Sequence, residues 1–189
     1  MAVLFGNFAW KMLTAGIATF QLNLMLLFVG EVMPVIFVLL RPPSATLSQQ
    51  PMDWALAIMG TSAGLLAMPA EVLPLAPATV CMAIIVVGLS LQVGAKMTLG
   101  FSYGMVAANR GVKVLGPYRF VRHPIYAGYT IGHIGGLLAM PSLANAWLYT
   151  AALALQISRI FCEERVLKED AEYRAYATRV RYRLLPGIF

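Results

Sequence analysis

Charge is what this sequence has least of. Lysine, arginine, aspartate and glutamate together make up 12% of its 189 residues, where soluble domains carry about 25%. So few charged groups cannot coat a soluble core, and a water-soluble globule is excluded. Cysteine is equally scarce. Cys81 and Cys162 stand in different apolar segments without paired spacing, so neither a disulfide framework nor a metal site is indicated. The N-terminus lacks a basic region followed by a short apolar run and a small-residue cleavage site, so no removable signal peptide is expected. Internal repeats and low-complexity tracts are missing too.

What is present is apolar. Hydrophobic residues make up 60% of the chain, and the mean hydropathy is +0.75. A membrane span needs about 20 mostly apolar residues. Five candidates follow: 12–40, interrupted by Glu31 and Pro34; 54–68; 75–95; 124–140; and 143–162. The stretch 41–53 reads as a loop and 97–114 as an interfacial segment, too polar to span and too apolar to be free. From Glu163 onward the chain is charged and helix-prone. The expected fold class is all-α, a polytopic bundle of about five transmembrane helices with a C-terminal helical cap. The chain divides into N-terminal spans, 1–96, and a second part, 97–189.

The basic residues fix an orientation. Only Lys11 and Arg41 precede Lys96, and twelve basic residues run from Lys96 to Arg183. With five spans, all of them except Lys11 fall on one side, which is therefore expected to be cytoplasmic together with the C-terminus. Such asymmetry indicates contact with anionic lipid headgroups rather than nucleic acid.

The polar chemistry gathers at the edge of the fourth span, in Gly116-Pro-Tyr-Arg-Phe-Val-Arg-His-Pro-Ile-Tyr-Ala-Gly128. On a helix at 100° per residue, His123, Tyr126, Thr130 and His133 share a stripe. Gly128, Gly132, Gly135 and Gly136 lie roughly opposite, a surface that lets another helix approach closely. An ordinary interhelical hydrogen bond is an equal reading of His133. Along the fifth span, Asn145, Tyr149, Ala152, Gln156, Arg159 and Glu163 form a second stripe. Polar groups over five turns are costly against lipid, so this face must meet protein, a cavity or a ligand. A local Arg159–Glu163 ion pair is the plain reading of that end of the stripe, and it leaves Glu164 over. Glu31 is expected to pair with Lys96 or a backbone group. Most of the tail charge reads as a solvated face, with Val166, Tyr173, Ala177 and Val180 as its packing line.

Taken together, Arg122-His123-Pro-x-Tyr126-x-Gly128, the preceding Gly116-Pro-Tyr-Arg and the following Arg159-x-x-x-Glu163-Glu164-x-x-Leu167 resemble the isoprenylcysteine carboxyl methyltransferase family, integral-membrane enzymes related to phospholipid N-methyltransferases. The likeness covers roughly residues 98–189, and Phe101-Ser-Tyr-Gly through Asn109-Arg-Gly-Val-Lys is similar to bacterial members, which implies a bacterial inner membrane. The resemblance implies S-adenosylmethionine as cofactor, in a pocket between the last two spans. Gly116, Pro117, Tyr118, Arg122, His123, Tyr126, Glu163 and Glu164 match positions expected to bind it. Arg159, Glu163 and Glu164 are expected to be catalytic, with Arg159, Gln156 and Tyr149 contacting a lipophilic or lipidated acceptor. No metal is implied. A sulfonium is favoured beside a carboxylate or an aromatic face such as Tyr126 or Tyr118. The acceptor is expected to be a prenylcysteine-type carboxylate. A phospholipid amine, a sterol-reductase-type NADPH reaction (those enzymes share a similar Arg-His-Pro-x-Tyr string) and a non-catalytic lipid-binding protein are the competing readings.

Overall fold

A computed structural model describes residues 22–41, 46–66 and 72–189. The start of the first expected span, the end of the second, Lys11 and Glu71 lie outside them. Among the described residues there are six α-helices: α1 (Leu22–Leu40), α2 (Pro51–Ser62), α3 (Ala78–Leu99), α4 (Pro124–Ala139), α5 (Leu143–Leu167) and α6 (Ala171–Arg179). A two-residue ladder, β1 (Thr46–Leu47) with β2 (Ala108–Asn109), is antiparallel, Thr46 opposite Asn109.

Local chemistry sets these boundaries. Pro51 and Pro124 open α2 and α4, where a missing N–H costs nothing. Ser142 caps α5 by accepting from the Asn145 N–H at 3.1 Å, and Asp170 caps α6 by accepting from the Glu172 N–H at 2.8 Å. The third helix runs beyond the expected end at Ala95 to Leu99. Only then does the chain enter the expected interfacial stretch, as a single 3₁₀ turn, Gly100–Ser102, followed by irregular chain and β2.

α3 and α4 form the tightest pair, through the glycine face expected on α4. A Cβ added to Gly88 would stand 2.6 Å from the Gly132 nitrogen and 2.7 Å from the Gly128 oxygen. The two backbones therefore touch, and no side chain fits between them. Gly136 lies apart from this seam, against the Tyr149 hydroxyl. On its other side α3 meets α1, where the buried Lys96 Nζ donates to the Gly30 carbonyl at 2.7 Å and sits 5.5 Å from the Tyr129 ring. Lys96, one of the two partners expected for Glu31, thus bonds the backbone of the preceding residue, Gly30.

α4 and α5 make a hairpin that touches at separate points rather than along a seam. His133 stacks on Tyr149 with centroids 4.7 Å apart, and the Tyr126 hydroxyl donates to the Glu163 carboxylate. α2 crosses α5 at Gly60, whose missing Cβ would lie 2.9 Å from Cδ of Arg159.

Many large apolar side chains face outward: Leu40, Leu73, Leu143 and Trp147 are each more than half exposed. An outward apolar surface of that kind is a membrane or partner surface. Among the described residues one helix, Ala78–Ser102, is long and apolar enough to cross a membrane by length and composition, and Phe28–Leu40 is a shorter apolar stretch.

Candidate active site

The site is a cleft bounded by the start of α4, the C-terminal end of α5, the 103–113 loop and α6. It holds about 970 Å³ of empty space, a volume that includes open solvent.

Its entry turn depends on Gly116. That residue has φ +56, and a Cβ there would stand 2.8 Å from Oγ1 of Thr98, so conformation and space both demand glycine. The 3₁₀ turn Gly116–Arg119 then delivers Tyr118 into the cleft wall. The Tyr118 carbonyl accepts from the Tyr176 hydroxyl at 2.7 Å, which ties the turn to α6. Burial, reinforced by the negative charge of Glu163, holds the Tyr118 phenol well above its usual range.

His123 occupies the N-cap of α4. Its backbone N–H donates to the Arg183 carbonyl at 2.8 Å, and that of Arg122 donates to Tyr182 at 2.9 Å. The C-terminal segment thus pairs with the two residues that lead into α4. Each imidazole nitrogen faces a carboxylate: Nδ1 is 3.5 Å from Glu163 Oε2 and Nε2 is 3.5 Å from Glu164 Oε1. Burial works against the imidazolium, but hydrogen bonds to and charges on the two glutamates outweigh it and raise the pKa above 6.5.

Glu163 and Glu164 are adjacent in a helix and so point about 100° apart. Glu163 turns into the cleft, towards Tyr126 and His123. Glu164 turns away from it, 1% exposed, with Arg122 at 3.0 Å, Arg183 at 3.1 Å and Lys168 at 3.2 Å. One carboxylate is the cleft's acid, and the other neutralises the cations behind it.

Arg159 takes neither glutamate. Its guanidinium donates to Thr61 Oγ1 at 3.1 Å and to the Met105 carbonyl at 2.9 Å, and its Cζ lies 5.2 Å from the Tyr126 ring centroid. The local ion pair expected from the i, i+4 spacing gives way to contacts with α2 and the 103–113 loop.

Of the residues singled out from sequence, Tyr118, Arg122, His123, Tyr126, Arg159 and Glu163 line the cleft. Gly116 and Pro117 shape its entry turn, and Glu164 stands behind it. Tyr149 and Gln156 lie farther along α5: Tyr149 packs on His133 and Gly136, and Gln156 is 2% exposed with its amide oxygen unpartnered among the described residues. Sequence reasoning missed Tyr103, Arg110, Tyr173 and Tyr176, which also line the cleft. Tyr173 and Tyr176 lie three apart on a short helix, a spacing that brings both to one face; from sequence Tyr173 read as part of a packing line, and Tyr176 carried no reading.

With this geometry in view, comparison with known proteins adds one finding. The model of the isoprenylcysteine carboxyl methyltransferase (ICMT) family matches residues 78–172, half of the chain, from the start of α3 into α6. The chain belongs to this family and is a membrane methyltransferase. Among curated proteins, nothing matches it.

Proposed function

We propose that the chain moves a methyl group from S-adenosylmethionine to the carboxylate of a lipophilic acceptor of prenylcysteine type. The observation that carries this reading is that Tyr126 meets both a cation and a carboxylate, the Arg159 guanidinium over its ring and Glu163 at its hydroxyl.

The cleft's residues fit the cofactor. Six tyrosines, Tyr103, Tyr118, Tyr126, Tyr129, Tyr173 and Tyr176, line the cleft together with one carboxylate, Glu163, and aromatic faces with a carboxylate suit a sulfonium. The buried Tyr173 hydroxyl has no hydrogen-bond partner among the described residues, which leaves a donor for a ligand. Bound there, the cofactor supplies a methyl group on a positively charged sulfur that leaves as a neutral thioether. Glu163, Tyr126, Tyr118 and Tyr173 would hold it, with His123 and Arg122 on its carboxylate side.

The protein's own work is positioning. Arg159 is anchored at two of its nitrogens by Thr61 and Met105, so its remaining donors are fixed in direction and suit a carboxylate. A carboxylate acceptor is already ionised and needs no base. Methylation of an amine would instead call for a base at Glu163, whose carboxylate accepts the Tyr126 hydrogen bond and faces imidazole. We read the bundle as about five spans in a bacterial inner membrane, with the basic loops and the C-terminus on the cytoplasmic side.

The test is binding and transfer by the detergent-purified chain. Calorimetry against S-adenosylmethionine and NADPH separates a methyltransferase from a reductase, and binding of neither would leave a lipid-binding protein. Labelled methyl transfer in membranes then gives a base-labile ester if the acceptor is a carboxylate. A base-stable label in the lipid fraction would instead mean an amine.

A further inference from the structure

The cleft holds more positive charge than the chain itself balances. Arg122 is matched by Glu164 and His123 by both glutamates, but Arg110 is not. Among the described residues neither Arg110 nor Arg41 makes an ion pair, although both are only partly exposed.

The two guanidiniums converge on Gly104. A Cβ added there would lie 2.2 Å from NH1 of Arg110 and 2.8 Å from NH1 of Arg41, so the side chains occupy neighbouring space that only glycine leaves free. Neither position is accidental. Arg41 NH1 donates to the Tyr103 carbonyl at 3.1 Å, and the Arg110 carbonyl accepts from the Ser102 hydroxyl at 2.9 Å. Arg110 lines the cleft, and its Nε is buried without a hydrogen-bond partner among the described residues. Burial and then the charge of Arg41 lower its pKa to about 10, against a smaller upward pull from the charge of Glu163.

Two adjacent like charges, one carrying an unused buried donor, are unfavourable until an anion joins them. Guanidiniums side by side offer paired N–H groups to an oxyanion with two or more oxygens. We propose that Arg41 and Arg110 form an oxyanion subsite at the cleft rim, separate from Arg159, that takes a phosphate group. The phosphate can come from the headgroup of an anionic phospholipid in the surrounding leaflet or from a free phosphate-bearing molecule. The position favours such a ligand: Arg41 follows directly on α1 and Arg110 directly on β2, and the exposed Lys113 adds a further cation along the same wall. The inference does not require methyl transfer, and its test reads binding alone.

The full chain is reconstituted in phosphatidylcholine nanodiscs with and without phosphatidylglycerol, and separately titrated with inorganic phosphate. Both arms are read by the thermal unfolding midpoint. The expected result is an upward shift in at least one arm that Arg41→Gln/Arg110→Gln removes and Arg110→Lys partly restores. A shift with phosphatidylglycerol alone identifies the headgroup, and a shift with inorganic phosphate identifies the free anion. An unchanged midpoint in both arms, or an equal shift in the double variant, overturns the subsite. Where the double variant does not fold, the wild-type chain suffices. Phenylglyoxal modification of Arg41 and Arg110, mapped by mass spectrometry, should slow several-fold in the arm that stabilises, and equal rates with and without ligand overturn the proposal.

Discussion

Arg122 and Glu164 meet at 3.0 Å with side chains 7% and 2% exposed, a buried ion pair that joins the wall of the cleft to the carboxylate behind it. Removing one partner of such a pair leaves the other charge uncompensated, at about 3 kcal/mol or more. Glu164→Gln should therefore lower stability by that order, because Arg183, Lys168 and His123 lose the same carboxylate. Denaturant unfolding of the detergent-purified variant measures this. A stability equal to wild type would show that the pair is not structural.

Glu163→Gln should behave differently. Its carboxylate accepts from Tyr126 and faces His123 from within the cleft, so methyl transfer should fall on the order of 100-fold while cofactor-free stability changes less than in Glu164→Gln. Measuring turnover and unfolding on both variants separates the cleft-facing carboxylate from the one behind it.

Arg159→Lys tests the anchored guanidinium. A lysine ammonium cannot reproduce the fork that reaches Thr61 and Met105 and still meet an acceptor in plane. We expect turnover to fall on the order of 100-fold through misplacement, with cofactor binding by calorimetry nearly unchanged. A turnover close to wild type would remove Arg159 from the acceptor site.

The imidazolium of His123 sets a pH dependence. Its folded-state pKa is raised above 6.5. The stability it contributes is thus complete below about pH 6.5, the unfolded value, and is lost as pH rises through the folded value. His123→Gln should flatten the stability profile across that alkaline limb. At Asp53 the sign is opposite. Burial raises its pKa, but the Ser48 hydrogen bond and Arg165, 2.6 Å away, outweigh burial and lower it. Its contribution is present above about pH 3.8 and lost as acid titrates the folded group.

The α3–α4 contact gives a packing test with an internal control. Gly88→Val places a branched side chain where backbone atoms lie 2.6 and 2.7 Å from a Cβ, and overpacking of this kind costs about 1–3 kcal/mol or more. Gly94→Ala on the same helix meets only Pro117 Cγ at 4.0 Å and should be close to neutral. Equal unfolding midpoints for the two variants would contradict the close approach.

What could be read from the sequence was what local rules govern. Pro124 and Ser142 marked the starts of the hairpin helices, and the glycine spacing on α4 marked a face for close packing. The partner of that face, Gly88, could not be read, because nothing in α3 alone says which turn would meet which glycine. Arg159 was visible as a costly intramembrane charge, but i, i+4 spacing pointed to Glu163. The contacts that won, Thr61 and Met105, lie 98 and 54 residues away. Arg110 was quoted in a motif and given no role, since its meeting with Arg41 exists only once the chain has folded.

The C-terminal segment that meets the start of α4 speaks to which positions can drift. His123 and Arg122 are registered through main-chain bonds to Arg183 and Tyr182, and these are blind to side-chain identity. Tyr182, 41% exposed, contributes its carbonyl there, so its side chain can change across relatives while the imidazole stays in place. Proline at 122 or 123 is another matter, because it removes a donor from this registration. The site's geometry is in part inherited through atoms that every amino acid shares, and variability at position 182 is no sign that the segment is dispensable.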